Sequence, residues 1–179
     1  MDKPNTLKQI AADHSQQPPE SARATQPLTT LDENRLALLC MIARAQSKIM
    51  LLSHNLDPRL FDDPEIIAAL RIFLLERGRS VRILVRSGRE LSHRNHRLVE
   101  SMRRWPDRAW VYQLAHRDRP TPWGCVIADQ NAVLYQPRSG RYDARLNLDD
   151  PPAARRMQLR FQELWQRAEA IPEMRDLRL

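Results

Sequence analysis

The sequence predicts an α/β fold: a mixed, mostly parallel sheet with helices on both faces. Short apolar runs such as KIMLLS (48–53) suit buried strands, amphipathic segments separate the first of these runs, and two further runs lie close together around residues 129–131. Strands separated by helices pair in parallel through right-handed crossovers, whereas strands joined by a tight turn pair antiparallel. The predicted order is α-β-α-β-α-β-β-β-α, with strands at 48–53, 80–87, 108–114, 124–129 and 132–136 and a helix at 93–105.

Capping residues mark where the first two helices begin. Thr30 is followed three residues later by Glu33, the spacing of a capping box, in which each side chain satisfies a backbone N–H near the helix start. Asp63 can cap the next helix and Pro64 suits its first position, while Gly78 stands where the end of a helix favours a left-handed residue. These signals place one helix before the strand at 48–53 and one after it.

The last helix has the strongest pattern in the chain. Its segment, DPPAARRMQLRFQELWQRAEA, begins with a capping residue, Asp149 or Asp150, and a first-turn proline. Leu159 lies off the apolar face and is expected to touch a neighbouring element. The residues predicted to form the apolar face are Ala154, Met157, Phe161, Leu164, Trp165 and Ala168.

Composition divides the chain into three parts. Residues 1–28 are polar and rich in Gln, Ser and Pro, so they cannot bury enough apolar surface to offset their chain entropy, and we expect a disordered tail. Residues 29–170 carry the apolar runs and form the predicted domain, and 171–179 is predicted as a C-terminal tail. The charges of 1–28 cancel, so the net charge of +7 belongs to the rest of the chain.

The charge and the lengths of the apolar runs indicate which kinds of partner and location to expect. A net charge of +7, from 26 Arg and 3 Lys against 22 acidic residues, favours anionic partners such as nucleic acid or phosphorylated ligands. The alternative is an arginine-rich composition whose guanidinium groups pair with neighbouring Asp and Glu. No apolar run approaches the roughly 18 residues that span a bilayer, and the N-terminus lacks a secretory signal. We therefore expect no membrane partner and a cytoplasmic location.

Neither the cysteines nor the histidines indicate a metal site. Cys40 and Cys125 lie in apolar runs without a CxxC partner, which predicts buried free thiols in a reducing compartment. His93 and His96 are three residues apart, but metal sites need three or four converging ligands and no third is signalled nearby. There is no P-loop, GxGxxG or GxSxG motif, and the chain has only four glycines. We predict no metal and no cofactor.

Polar residues follow three of the predicted strands. In open α/β sheets, ligands bind beyond the carboxyl ends of the strands, which here places His54, Arg86-Ser87-Gly88 and His116 at candidate positions. A Ser-Gly turn beside Arg86 suits an anion held by backbone N–H groups. The alternative is that these are ordinary polar loop residues.

The polar segment 137–150 concentrates arginines. Arg138, Arg141 and Arg145 carry guanidinium forks of the kind that suit phosphate oxygens. The alternative is that Arg141 and Arg145 pair with nearby carboxylates in a solvated loop of salt bridges. The carboxylates concerned are Asp143, Asp149 and Asp150.

The chain resembles one half of a phospholipase D-like fold over roughly residues 31–169. A helix leads into KIMLLS, and LLERGRSVRILVRSG is similar to a helix, glycine turn and second strand of that superfamily. HRNHRLVESM follows, VIADQNAVLYQP resembles the strand–Asp–hairpin of the active-site motif, and a last helix carries FQELW. The resemblance rests on order and spacing, and it implies a small bacterial domain of this superfamily.

The superfamily motif, His-x-Lys-x4-Asp, is only partly present. If its Asp falls on Asp129, its Lys falls on Gly124 and its nucleophilic His on Pro122, and a downstream Asn of the superfamily corresponds to Asn147. Proline has no nucleophilic atom and glycine has no cation to neutralise phosphate. His116 lies six residues before Pro122, too far along the chain to occupy the same strand position. The resemblance therefore implies a degenerate site with no catalytic residues.

Three functions follow as expectations. The first is a non-catalytic phospholipase D-like domain that binds an anionic ligand, nucleic acid or a protein partner. The second is a phosphodiesterase or other hydrolase with a rebuilt site that uses at least two of His54, His93 and His116 near Asp129 or Arg86. The third is a structural dimerisation module, because the superfamily builds its site from two halves and this chain carries one; a homodimer is part of that expectation.

Overall fold

The computed structural model describes residues 25–88, 91 and 96–172 of the 179-residue chain. The helices are α1 (Leu31–Arg44), α2 (Pro58–Phe61), α3 (Pro64–Leu75), α4 (Arg97–Arg103) and α5 (Pro151–Gln166). The strands are β1 (Gln26–Leu28), β2 (Lys48–Ser53), β3 (Ser80–Val85), β4 (Ala109–Gln113), β5 (Gly124–Ala128), β6 (Ala132–Gln136), β7 (Ala144–Asn147) and β8 (Glu169–Ala170). No helix in these ranges is long and apolar enough to cross a bilayer.

One eight-stranded sheet has the order β1-β7-β6-β5-β2-β3-β4-β8. The predicted mixed α/β class is confirmed, but the sheet is less parallel than predicted. Of the seven strand pairs in the described residues, only β2–β3 and β3–β4 are parallel. The reason is that β5 lies antiparallel to β2, and short turns then carry the chain back and forth through β6 and β7. Parallel neighbours arise only at the two helical crossovers that join β2 to β3 and β3 to β4.

The sheet separates two apolar cores, so the prediction of helices on both faces is confirmed. Alternate residues of β2 point to opposite sides: Ile49 belongs to one core and Met50 to the other. On the first side the sheet is covered by α1 to α4, with Leu38 of α1 among the buried residues. On the second side α5 is the one helix among the described residues, and it packs through Met157 and Phe161. Beside α5, a groove lined in part by Met50 and Arg82 leaves some of that face open.

The helix starts lie where the capping signals predict them. Thr30 and Glu33 form the reciprocal capping box of α1, and the Asp63 carboxylate accepts from two N–H groups at the start of α3. Asp150 caps α5 and Pro151 is its first residue. Gly78 has a φ of +82°, but it lies in the turn beyond α3 rather than at the helix end.

Three strands were not predicted, and the domain limits differ from the predicted ones. Gln26–Leu28 pairs with β7 and buries Leu28, so the sheet begins inside the segment predicted as a tail. Ile171, assigned to the C-terminal tail, is buried. Residues 1–24 and 173–179 lie outside the described residues. Strand β7 is four residues of a polar segment, and its strand character comes from pairing on both sides.

The two cysteines differ in exposure, which corrects the prediction that both are buried. Cys125 is fully buried, and burial raises the pKa of its thiol to about 12, whereas Cys40 is half-buried. Since the thiolate is the reacting species, we expect a disulfide reagent at about pH 8 to label Cys40 and to leave Cys125 until the protein unfolds. The Cys40→Ser variant should then show no labelling in the native state. Two rapidly labelled thiols in the native protein would contradict this description.

Candidate functional site

The four residues aligned with the phospholipase D motif lie at opposite ends of the sheet. Gly124 begins β5 and Asp129 directly follows its end, so at about 3.3 Å per residue roughly 20 Å separates Pro122 from Asp129. In the adjoining strands Asn147 pairs with Val133, which places it at the same end as Asp129. The carboxylate and the amide therefore cannot share a pocket with the two motif positions at the start of β5.

Asp129 fastens the turn between β5 and β6 to the loop before β2. Its Oδ1 accepts from the Ser47 N–H at 2.8 Å, the Ser47 hydroxyl at 2.8 Å and the Lys48 N–H at 2.9 Å, and its Oδ2 accepts from the Gln46 N–H at 2.6 Å. Partial burial alone would raise the pKa of this carboxyl, but these hydrogen bonds outweigh it and hold the pKa below its ordinary value of 3.8. Asp129 has a left-handed backbone, with φ of 51°. All four contacts are structural.

Asn147 also serves the local structure. It is buried, its Oδ1 accepts from the Asp149 N–H at 3.1 Å, and its Nδ2 lies 3.4 Å from Oδ2 of Asp150. The other Asp150 oxygen accepts from the Ala153 N–H, the capping bond of α5. Asn147 thus holds the residues that begin the last helix.

The position that the motif assigns to lysine has no space for a side chain. A Cβ on Gly124 would lie 2.9 Å from the Leu52 carbonyl oxygen, 3.1 Å from Oε1 of Gln136 and 3.1 Å from Oγ of Ser139. The first of these is backbone of the paired strand β2 and can move only if the sheet moves. Glycine at this position is therefore required by the close approach of its neighbours.

Ser139 is the central residue of this end of the sheet, and sequence reasoning missed it. Its N–H donates to the Pro122 carbonyl at 2.8 Å, and its hydroxyl oxygen accepts from the His54 N–H at 2.8 Å. It thereby joins the loop after β6 to the loops that precede β5 and follow β2. The available signal was its place in the PRSG turn directly after the strand that pairs with β5.

His54 and Arg86, which follow the ends of β2 and β3, are in contact. The Arg86 Nη1 lies 3.1 Å from Nδ1 and 3.3 Å from Nε2 of His54, and the Arg86 N–H is shared between the carbonyls of Ser53 and His54. Because guanidinium only donates, the imidazole nitrogen that faces it accepts. Ser87 follows as a half-buried residue, and the Gly88 N–H donates to the Gln113 side chain at 3.0 Å. That last N–H is already used and cannot also hold an anion.

The remaining predicted residues lie on several separate elements. His116 is exposed on a short 3-10 turn (His116–Asp118), and Arg138 and Arg141 are exposed in the turn after β6. Arg145 lies within β7, half-buried beside Tyr135 of β6. His93 lies outside the described residues, and His96 is buried, with Nε2 2.7 Å from the Leu56 carbonyl. No group of three or more potential metal ligands occurs in the described part of the chain.

A second unpredicted contact orders the arginine segment. The Tyr142 hydroxyl donates to Oδ2 of Asp57 at 2.6 Å, and the Arg59 guanidinium, which also pairs with Asp57, lies 5.5 Å from the Tyr142 ring centroid. Burial raises the pKa of the Asp57 carboxyl, but the hydrogen bonds from Arg59 and Tyr142 prevail and lower it. This contact holds the loop after β2 against the loop before β7, the same loop that contains Ser139.

Comparison with known sequences gives a family but no function. Residues 30–177 match the family model described as a domain of unknown function, DUF7931. A comparison with curated protein sequences finds no match. The matched range includes nearly the whole predicted domain together with the segment after α5.

Solved structures share the fold at low sequence identity. Nuc from Salmonella typhimurium, described as a phospholipase D family member, has a TM-score of 0.59 and 17% identity over 82% of this chain and 96% of its own. NucT from Helicobacter pylori has a TM-score of 0.58 and 16% identity over 83% of this chain and 98% of its own. TrmBL2, described as an archaeal chromatin protein with a novel mode of DNA binding, has a TM-score of 0.59 and 17% identity over 92% of this chain. The match spans 61% of TrmBL2. The chain therefore has a fold similar to that of phospholipase D family members.

Proposed function

The chain belongs to the DUF7931 family, and from that premise we propose that it is a non-catalytic domain of phospholipase D-like fold that binds nucleic acid in the cytoplasm. The observation that carries the non-catalytic part is the closed position at Gly124. Phosphoryl transfer in the superfamily needs a nucleophile and a cation at the start of this strand. Here Pro122 lacks a nucleophilic atom, and Leu52, Gln136 and Ser139 occupy the space that a lysine would need.

The charge of the protein supports an anionic partner. The net charge is +7, and the exposed arginines include Arg138 and Arg141 beside the strand-end site. Arg86 adds a guanidinium at the carboxyl end of the parallel strands, where ligands of open α/β sheets bind. One structure of similar fold, the archaeal chromatin protein TrmBL2, is described as binding DNA, and this similarity supports nucleic acid over other anions.

Salt dependence of binding tests this proposal. We expect a fluorescently labelled oligonucleotide, as DNA or RNA, to bind at low salt and to lose affinity steeply as salt rises, because each neutralised phosphate releases a counterion. The measurement is fluorescence anisotropy over a salt series, with the logarithm of the affinity plotted against that of the salt concentration. An acidic protein of similar size, titrated under the same conditions, is the control. Absence of binding to every DNA and RNA probe at low salt would refute the nucleic-acid function.

A second candidate is a hydrolase with a rebuilt histidine site, and the contact between His54 and Arg86 favours it. Its partners are not those that a rebuilt site would need: His54 contacts Arg86, His116 is exposed on the turn after β4, and Asp129 is at the far end of the sheet. A hydrolase of this kind would cleave a chromogenic phosphodiester and lose that activity on the His54→Gln substitution. Turnover abolished by that change would favour this candidate over the non-catalytic one.

A further inference from the structure

A groove lies beside α5 on the face of the sheet that this helix only partly covers. It encloses about 610 Å³ between α5, the first residues of β2, and the turn between β5 and β6. We call it the α5 groove. It opens at the end of the sheet where Asp129 binds the loop before β2, so it is far from Gly124 and from the contact between His54 and Arg86.

The charged residues that line the α5 groove are all cations. They are Lys48 at the start of β2, Arg82 in β3 and Arg155 in α5, and no Asp or Glu is among the described lining residues. Lys48 and Arg155 are exposed, whereas Arg82 is half-buried. Three cations without a carboxylate make the groove complementary to an anion, and their spread over three elements suits a chain of phosphates better than a single one.

The rest of the lining is apolar or carries amides. Met50 and Leu159 contribute apolar surface, and Leu159, expected from sequence to touch a neighbouring element, is instead 59% exposed. Gln130, Gln158 and Gln162 supply amide groups that both donate and accept hydrogen bonds. An apolar wall with a few amides suits the flat face and polar edge of a nucleotide base. The volume lies within the roughly 300–1,000 Å³ typical of pockets that enclose small molecules.

Arg82 is held in place by aromatic rings. Its guanidinium carbon lies 5.3 Å from the ring centroid of Trp165 and 5.9 Å from that of Trp110, and its Nη1 donates to Oε1 of Gln162 at 3.4 Å. Trp165 in turn stacks on Tyr112 with ring centroids 5.0 Å apart. The cation is therefore positioned before any ligand arrives, and the bond to Gln162 uses one of its five N–H donors.

We propose that the α5 groove binds single-stranded nucleic acid, with an unpaired base against Met50 and Leu159 and the backbone phosphates against Lys48, Arg82 and Arg155. This rests on the proposed function and adds the strand form and the place of binding. Positive grooves that combine phosphate contacts with surfaces for unpaired bases are typical of single-strand binders. A base that is paired and stacked in a duplex cannot enter a groove of this size.

The test compares charge-matched variants of the full chain by fluorescence anisotropy with a labelled oligothymidylate of about ten nucleotides. The groove variant is Lys48→Gln with Arg155→Gln. The control variant is Arg71→Gln with Arg77→Gln, two exposed arginines, one within α3 and one just beyond its end, on the other side of the sheet. We expect the groove variant to bind about tenfold or more weakly at low salt and its salt slope to fall by about 1.4, while the control variant changes neither strongly.

A second pair of variants tests the apolar wall. Leu159→Glu places a carboxylate inside the groove, and Leu36→Glu makes the same change on α1, at a leucine of similar exposure, 62% against 59%. We expect Leu159→Glu to weaken binding of the oligothymidylate and Leu36→Glu to leave it unchanged. A duplex of equal length and thymidine monophosphate, used as competitors, should both compete poorly.

Several results would overturn the proposal that the α5 groove binds the strand, while leaving the proposed nucleic-acid function standing. These are equal losses in the groove and control variants, a loss confined to Arg138→Gln with Arg141→Gln at the other end of the sheet, or competition by the duplex or the mononucleotide as strong as that by the oligonucleotide. Failure of the unmodified protein to bind any nucleic acid at low salt would overturn both proposals.

Discussion

Replacing Asp129 with alanine is expected to lower the free energy of unfolding by about 3 kcal/mol, because it removes four hydrogen bonds to a carboxylate. Alanine also fits poorly at a φ of 51°. Asp129→Asn should cost about half as much, since asparagine tolerates the left-handed backbone and its Oδ1 can still face Ser47 and Lys48. The asparagine NH₂ would face the Gln46 N–H, and because both groups are donors that hydrogen bond would be lost. Urea unfolding at neutral pH measures both changes.

The pH dependence identifies the carboxylate as the cause. Because the pKa of Asp129 is lowered in the folded protein, its contribution is present above its ordinary value of 3.8 and is lost as the pH falls through the lowered value. The difference in stability between the unmodified protein and Asp129→Asn should therefore be constant near neutral pH and shrink in acid. The matched control is Asp107→Asn, an exposed aspartate in a turn, which should change stability by less than about 0.5 kcal/mol. A stability difference that persists unchanged into strong acid would contradict this role.

Restoring the motif should damage the protein rather than activate it. The double substitution Pro122→His with Gly124→Lys supplies the missing nucleophile and cation, but the Cβ of the lysine would lie 2.9 Å from the Leu52 carbonyl oxygen. We expect a loss of about 1–3 kcal/mol in the free energy of unfolding from this overpacking, and no hydrolysis of a phosphodiester. Thermal unfolding and a chromogenic assay measure the two effects.

Two single substitutions separate the effect of the histidine from that of the side chain at position 124. Pro122→His alone adds the histidine at an exposed position and should leave stability within about 1 kcal/mol of the starting protein. Gly124→Ala alone should reproduce much of the stability loss, because it already carries the Cβ. Unchanged stability of Gly124→Ala, or phosphodiesterase activity in the double variant, would mean that the site is open and would weaken the case for a non-catalytic domain.

The sequence predicts local structure well where one residue type has a strong backbone or capping preference. Thr30, Asp63 and Asp150 each cap the helix that they were expected to begin, and the apolar runs at β2, β3 and β5 are strands. It fails where pairing alone makes a strand. The segment of β7 has no β-branched residue, and its strand character depends on pairing with β6 on one side and, on the other, with β1, which is distant in sequence.

The candidate site was predictable only where the order of strands determines which residues are neighbours. His54 and Arg86 follow parallel neighbours β2 and β3, so their proximity follows from strand order. The five-residue spacing between Gly124 and Asp129 is also visible in sequence. Because the two residues stand at opposite ends of β5, however, they do not meet. Ser139 could not be predicted from the sequence alone, because its contacts with His54 and Pro122 depend on how two loops lie against the sheet.

The fate of a bound strand tests the central claim, that this fold binds nucleic acid without cleaving it, most directly. An end-labelled oligonucleotide would be incubated at low salt with the protein in excess, so that a single slow cleavage event per strand is detected on a denaturing gel. We predict a strand that is retained by the protein and recovered at full length, with no covalent protein adduct. A shortened strand or an adduct, lost on the His54→Gln substitution, would contradict the account and assign the chain to the hydrolases.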